Sequence, residues 1–199
     1  MFEKFGQMPL KIIFTAREEA RSLGDLNLDS EHILLALLSL DCAAARALKI
    51  CGLTYLEVKT ELEELRSEQD ALSEEQEIAF SESCRRILEF AFLESRMLKE
   101  ESILAEHILL AVLKEGQGVA IGLLAHFGIN IIDLEIALLY QLAAEKKALA
   151  DENQLPALLA IWSRLRALAE DLSYRDLAQE ALKQKRLIEE ALQAKEIHS

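Results

Sequence analysis

Two Glu-His pairs, Glu31-His32 and Glu106-His107, are the residues of this sequence best equipped for chemistry, and they stand 75 positions apart. A carboxylate beside an imidazole suggests a metal site or general acid–base work. Adjacent helical positions point about 100° apart, however, so neither pair converges on one ion. A packed histidine is the better reading of each. The other histidines, His126 and His198, join no cluster. Cys42, Cys51 and Cys84 lack the close spacing of a metal knuckle and read as small buried residues of a reducing cytosol. No nucleophile–base pairing is visible, and no Gly-x-x-x-x-Gly-Lys-Ser/Thr loop occurs to hold a nucleotide. The sequence therefore predicts a non-enzymatic protein without catalytic residues, cofactor or metal.

Each pair opens an octet, Glu31-His32-Ile33-Leu34-Leu35-Ala36-Leu37-Leu38 and Glu106-His107-Ile108-Leu109-Leu110-Ala111-Val112-Leu113, and seven of the eight positions are identical. The same offset carries Phe5 to Phe80, Ile12 to Ile87, Ala16 to Ala91, Glu19 to Glu94 and Leu23 to Leu98, and a one-residue insertion later carries Gly52 to Gly128. So long a period marks a duplicated unit, not a solenoid of short repeats. Leu and Ala favour helix over strand, and an octet apolar on nearly every side suits a helix buried all round. Ser30 is positioned to cap the first octet, with Glu31 in the turn where the helix dipole favours an anion. Ala105 replaces that serine in the second copy.

Only two prolines and seven glycines, with abundant Leu, Ala and Glu, predict an all-α chain. The formal net charge is −13, and acids and bases balance from Ala160 onward, so the first 159 residues carry the deficit. Nucleic acid and anionic membrane are poor partners for such a surface, and a charge-driven protein partner would be cationic. No apolar run approaches the roughly 20 residues that cross a bilayer, and the start lacks a signal-peptide pattern. These features predict a soluble protein of the cytoplasm, or of the plastid stroma for a processed organellar chain.

In chain order, Pro9 suits a first helical turn, and Leu10, Ile12, Ile13, Ala16, Ala20 and Leu23 mark one apolar face. A short helix spans Asp41 to Ile50 before Gly52, and Thr54 caps a fourth with Leu56, Val58, Leu62 and Leu65 facing inward. Arg66 to Glu82 reads as an acidic solvated linker, where Ser73 and Gln76 could cap a short helix. The fourth helix of the second copy, from Ile131, continues through Lys146-Lys147. Polar residues ahead of Pro156 form the clearest boundary. Two helices follow, about Ala157 to Leu172 and, behind a Ser173 cap, Tyr174 to Lys195. The expected architecture is all-α. Residues 1–150 form two pseudo-repeated four-helix units (about 5–66 and 80–142), and residues 151–199 form a C-terminal helical hairpin. Trp162 and Phe90 and Phe92 read as core or interface anchors.

The doubled octet, the Phe5 and Phe80 lead-ins and the Gly52 and Gly128 positions resemble the amino-terminal domain of Clp-family AAA+ unfoldases, most closely the ClpC type. The resemblance covers about Met1 to Leu142 and implies a pseudo-twofold pair of four-helix units. It also implies docking of adaptors and receipt of substrates, including proteins marked by phosphoarginine. On that resemblance Glu31 and Glu106 would contact a guanidinium; satisfying the first-turn dipole is the alternative role. The phosphate-holding Thr-x-Arg-Ala segment of the family is replaced by Gly6-Gln7-Met8-Pro9 and by Ser81-Glu82-Ser83-Cys84, leaving a hydroxyl at Ser81 alone. The tail resembles a UVR helical hairpin, with Tyr174 at its aromatic position and Gln184 where the motif prefers an aliphatic. Trp162 and Tyr174 are the expected partner-binding residues of that tail. The expected function is that of a motorless accessory or adaptor-like protein of a Clp protease system. Its partners would be an unfoldase, a peptidase or an adaptor, with homo-oligomers forming through the C-terminal helices. A self-contained helical scaffold or dimer without Clp contact is the alternative.

Overall fold

The computed structural model describes residues 4–66, 72–73, 76–148, 155–171 and 174–198. The first unit comprises α1 (Gln7–Ser22), β1 (Asn27–Leu28), α2 (Ser30–Ser39), α3 (Ala43–Ile50) and α4 (Tyr55–Leu65). The second comprises β2 (Ala79–Phe80), α5 (Glu82–Met97), α6 (Ala105–Glu115), α7 (Gly118–His126) and α8 (Ile131–Ala148), and α9 (Leu155–Asp171) and α10 (Arg175–His198) form the tail. The fold is all-α, and among the described residues the strands are two of two residues each.

The octets are the buried helices α2 and α6, covered on every face. That burial explains residues without amphipathic contrast. Around them the flanking helices bury single stripes. On α1 Pro9, Ile12, Ala16 and Ala20 are buried, whereas Leu10 is exposed and Ile13 half-buried, so the true stripe is narrower than the sequence spacing suggests. On α4 Val58 and Leu62 are buried, but Leu56 and Leu65 point to solvent. Thr54 caps α4 as expected, in a reciprocal box with Glu57.

The cap of α2 differs from expectation. Asp29 is the N-cap, its Oδ1 accepting from the Ser30 N–H at 2.7 Å, while His32 Nδ1 accepts from the Asp29 N–H at 3.0 Å. Ser30 lies within the helix, and its Oγ accepts from the Ala120 N–H at 3.3 Å, near the start of α7 in the other unit. In α6 no hydroxyl serves, but His107 Nδ1 accepts from the Leu104 N–H at 2.9 Å. The histidine of each octet thus closes its own helix start.

The strands lie where the sequence suggests only linker and connector. β1 pairs in parallel with β2, with Leu28 opposite Phe80, and Phe5 bridges Ile103 in the same sense. These are one pairing made twice with the copies exchanged, since Phe5 corresponds to Phe80 and Leu28 to Ile103. The hydrogen bonds agree, Gly6 N–H to Ile103 C=O and Ser81 N–H to Leu28 C=O, at 3.1 and 3.0 Å. Each lead-in phenylalanine is therefore held by the opposite unit. Ser73 and Gln76 make their side-chain contact, the Ser73 N–H donating to Gln76 Oε1 at 2.9 Å, and the rest of the short helix expected there lies outside the described residues.

α9 starts at Leu155, with Pro156 in its first turn, and Ser173 lies outside the described residues. Leu158, Ile161, Trp162 and Leu165 are buried where α9 packs between α8 and α10. The tail is thus docked on the second unit. No single helix among the described residues is long and apolar enough to cross a membrane; the bent pair α6–α7 passes by composition because α6 is a core helix.

Lys99 stands at the register of Gly24 and shares its left-handed backbone, φ 60° against 77°. Lys99→Gly is expected to raise unfolding stability by about 1 kcal/mol, read from urea denaturation. Gly118, at φ +83°, would place a Cβ 2.8 Å from Ser30 Oγ. Gly118→Ala is expected to lower stability by about 1–3 kcal/mol in the same measurement.

Candidate functional site

Both octet glutamates lie at helix starts that are almost closed to solvent, Glu31 at 5 % and Glu106 at 6 % exposure. Around Glu31 the turn after α1 brings Asp25, so that Asp25, Glu31 and His32 place ligand-type atoms within 4.8 Å of one another. The sequence does not reveal this grouping, because Asp25 sits in an irregular connector. The chemistry of the donors argues against a metal. His32 Nδ1 accepts the Asp29 N–H, so Nε2 carries the proton and donates to Asp25 Oδ2 at 2.9 Å, leaving no lone pair for an ion. The cation that meets these carboxylates is Arg66, just beyond α4. Its Nη2 donates to Asp25 Oδ2 at 2.6 Å and to Glu31 Oε1 at 3.1 Å. Glu31 does hold a guanidinium, and it belongs to the same chain.

The second unit repeats the plan with different parts. Glu100, at the register of Asp25, pairs with Lys146 of α8. Burial pushes the Glu106 carboxyl up, an effect partly offset by backbone N–H groups including that of Ala43 and by Lys146 and Arg46. Ala43 opens α3, so the Glu106 carboxyl lies beside the helix start of the opposite unit. His107 is fully buried, and burial followed by the Lys146 charge pushes its pKa down to about 3. With Nδ1 accepting from Leu104, its Nε2–H has no hydrogen-bond partner among the described residues. The acid that would accept it, by analogy with Asp25, is committed to Lys146.

Of the other expected site residues, Ser81 is the N-cap of α5, its Oγ accepting from the Cys84 N–H at 2.9 Å. Trp162 is 8 % exposed and packs edge-on against Tyr140 of α8 at 5.5 Å. Tyr174 is 45 % exposed, with its hydroxyl 3.4 Å from Asp133 Oδ1. Among the described residues none of these three hydrogen-bonds either glutamate. Cys84 and Cys42 are buried, and burial pushes both thiols up, Cys84 to about 12. Neither is poised as a nucleophile.

The model of the Clp repeat (R) N-terminal domain matches residues 4–127 and 79–181. The chain belongs to this Clp repeat family. It is 38 % identical over 132 residues to an ATP-dependent Clp protease ATP-binding subunit ClpA homolog of Cyanidium caldarium, covering 66 % of this chain and 15 % of that one. It is 31 % identical over 178 residues to the chloroplastic chaperone protein ClpC1 of Arabidopsis thaliana, covering 86 % and 19 %. The chain thus spans less than a quarter of the length of these curated relatives. Among solved structures, the N-terminal domain of the Clp-associated chaperone ClpD from Arabidopsis thaliana superposes with a TM-score of 0.61 at 26 % identity, over 71 % of this chain and 99 % of that one. The Hsp104 N-terminal domain of Candida albicans, at 20 % identity and a TM-score of 0.57 over 68 % and 89 %, shares the fold. The double Clp repeat accounts for the paired units described above.

Unfolded, His107 would take up a proton near the usual 6.5, whereas the folded group does so only near pH 3. Its depressed pKa therefore supplies stability that is present above the unfolded value and lost as pH falls through the interval between the two. His107→Asn, which keeps an acceptor near the Nδ1 position, is expected to lose less stability than wild type on going from pH 7 to about pH 4.5. The difference should be about 2 kcal/mol in denaturation series at the two pH values.

Proposed function

We propose that this chain is a non-enzymatic protein-docking component of a Clp-type protease system. It contacts an unfoldase, peptidase or adaptor, and modulates that partner or delivers substrates to it. The observation that carries the reading is the double Clp repeat, shared with relatives named as Clp protease ATP-binding subunits and ClpC chaperones. The exposed apolar pair Leu10 and Phe14 on α1, one turn apart, supplies a contact surface of the kind protein partners use. Tyr174, half-exposed on the tail, is a second contact. The charge of −13 favours partners with basic surfaces over nucleic acid. The chloroplastic relatives support a plastid stroma or a bacterial cytosol as the setting.

For the octet glutamates the same reading has a physical condition. A guanidinium-bearing ligand reaches Glu31 only by displacing Arg66, and meets Glu106 only beside Lys146. Phosphoarginine recognition in this chain therefore competes with internal ion pairs.

Retention of the full chain by a ClpC-type unfoldase or its peptidase at physiological salt is the expected result; retention by neither would remove the Clp half of the proposal. Phe14→Asp is expected to weaken that retention at least fivefold with little change in melting temperature. Arg66→Ala is expected to tighten binding of free phosphoarginine, followed by calorimetry, at least tenfold.

A further inference from the structure

The fourth helices of the two repeats are covered unequally. α8 lies under α9 of the tail, with Trp162 edge-on to Tyr140 and Arg164 pairing with Glu94 and Glu135. α4 packs inward through Val58 and Leu62, and its outer side is open. There Leu56, Thr60, Glu63 and Glu64 follow one helical stripe, with Glu57 at its edge, and all five are exposed. Leu56 is 71 % exposed, whereas Ile132, at the same register on α8, is half-buried. Lys59, the one cation within α4, turns inward to Glu19 at 3.0 Å. The open stripe therefore joins an apolar side chain to carboxylates with no cation among them.

α10 carries the opposite stripe. Ala181 and Ile188 are buried on the side that meets α9, and helical spacing puts Gln179, Lys183, Arg186, Leu187 and Glu190 on the far side, all exposed. With Leu182 these residues border a shallow hollow of about 320 Å³. Lys185 pairs along the helix with Glu189 at 3.8 Å, but Lys183 and Arg186 form no ion pair among the described residues. Leu187, between them on the surface, is 53 % exposed. Two unpaired cations thus flank an open leucine in a chain whose net charge is −13.

We propose that the outer stripe of α10 docks on the outer stripe of α4 in a second copy of this chain. Lys183 and Arg186 meet Glu63 and Glu64, and Leu187 closes against Leu56. Both stripes are open within one chain, so they meet only between two. Charge complementarity selects the second copy, because the same sequence carries both the basic stripe and the acidic one that fits it. Like charges oppose the pairing of α4 with α4 or of α10 with α10, which leaves the mixed contact. Exposed ion pairs add little affinity singly; here they fix orientation, and the leucines supply the burial. Made reciprocally, the contact closes a symmetric dimer. Each fourth helix is then covered by a tail helix, α8 by its own α9 and α4 by α10 of the second copy. The inference goes beyond the Clp reading and does not rest on it, because its test involves no Clp protein.

Sedimentation velocity of the full chain reads the association. The wild type is expected to sediment above the monomer, with an affinity about tenfold weaker at about 1 M salt than at about 0.15 M. Glu63→Lys with Glu64→Lys, and separately Lys183→Glu with Arg186→Glu, should each leave a monomer. An equimolar mixture of these two variants should associate again, because each reversed stripe then faces one of opposite sign. Should the α10 reversal lose helicity by circular dichroism, Lys183→Gln with Arg186→Gln takes its place and is expected to weaken self-association about fivefold. A monomeric wild type, substitutions that leave association unchanged, or a mixture of the two reversals that stays monomeric would overturn the proposal.

Discussion

Each repeat completes the other through backbone groups that neither can satisfy alone. The lead-in strand of one unit hydrogen-bonds the connector of the other, in both directions, through Phe5 with Ile103 and Phe80 with Leu28. The same exchange recurs at a short helix, where Ser30 accepts from the start of α7. Helix starts expose N–H groups that require acceptors, and burial between two units denies them water. A lone repeat would therefore leave polar groups unpaired at the surface it must bury. This reciprocity joins the core into one body and fixes the two octet helices at its centre.

Placing α2 and α6 in the middle has an electrostatic consequence. Their first-turn carboxylates are drawn into a low-dielectric interior, where an unpaired charge is costly. The first unit answers with Arg66, shared between Asp25 and Glu31, and the second with Lys146 on Glu100 and near Glu106. The answers differ because the fourth helices diverged. Each octet glutamate is thus answered by a cation of its own chain.

The tail belongs to the same electrostatic account. Its packing through Ile161, Trp162 and Leu165 supplies the apolar contact, and Arg164 supplies a cation where the second repeat carries Glu135 in the place of Lys59. α9 is therefore fitted to the second Clp repeat in particular, since the first already holds Lys59 at that place.

The duplication, the all-helical class, eight of the helices near their observed places and the burial of both octets were legible in residue type and spacing. A repeated apolar octet has one stable use in a water-soluble chain, and caps such as Thr54 are local in sequence. The outward turn of Leu56 and Leu65 was not legible, because a short helix touching the core along one stripe leaves some apolar residues outside it. Nor were the Asp29 cap, the swapped strands, Arg66 over Glu31 and Arg164 over Glu94. Asp25 and Glu100 share a register, but their cations stand at unrelated positions, so no periodicity links them. The sequence by itself determined which residues must leave water. Only the tertiary structure decided which charge meets which, because that depends on distances between helices that are far apart along the chain.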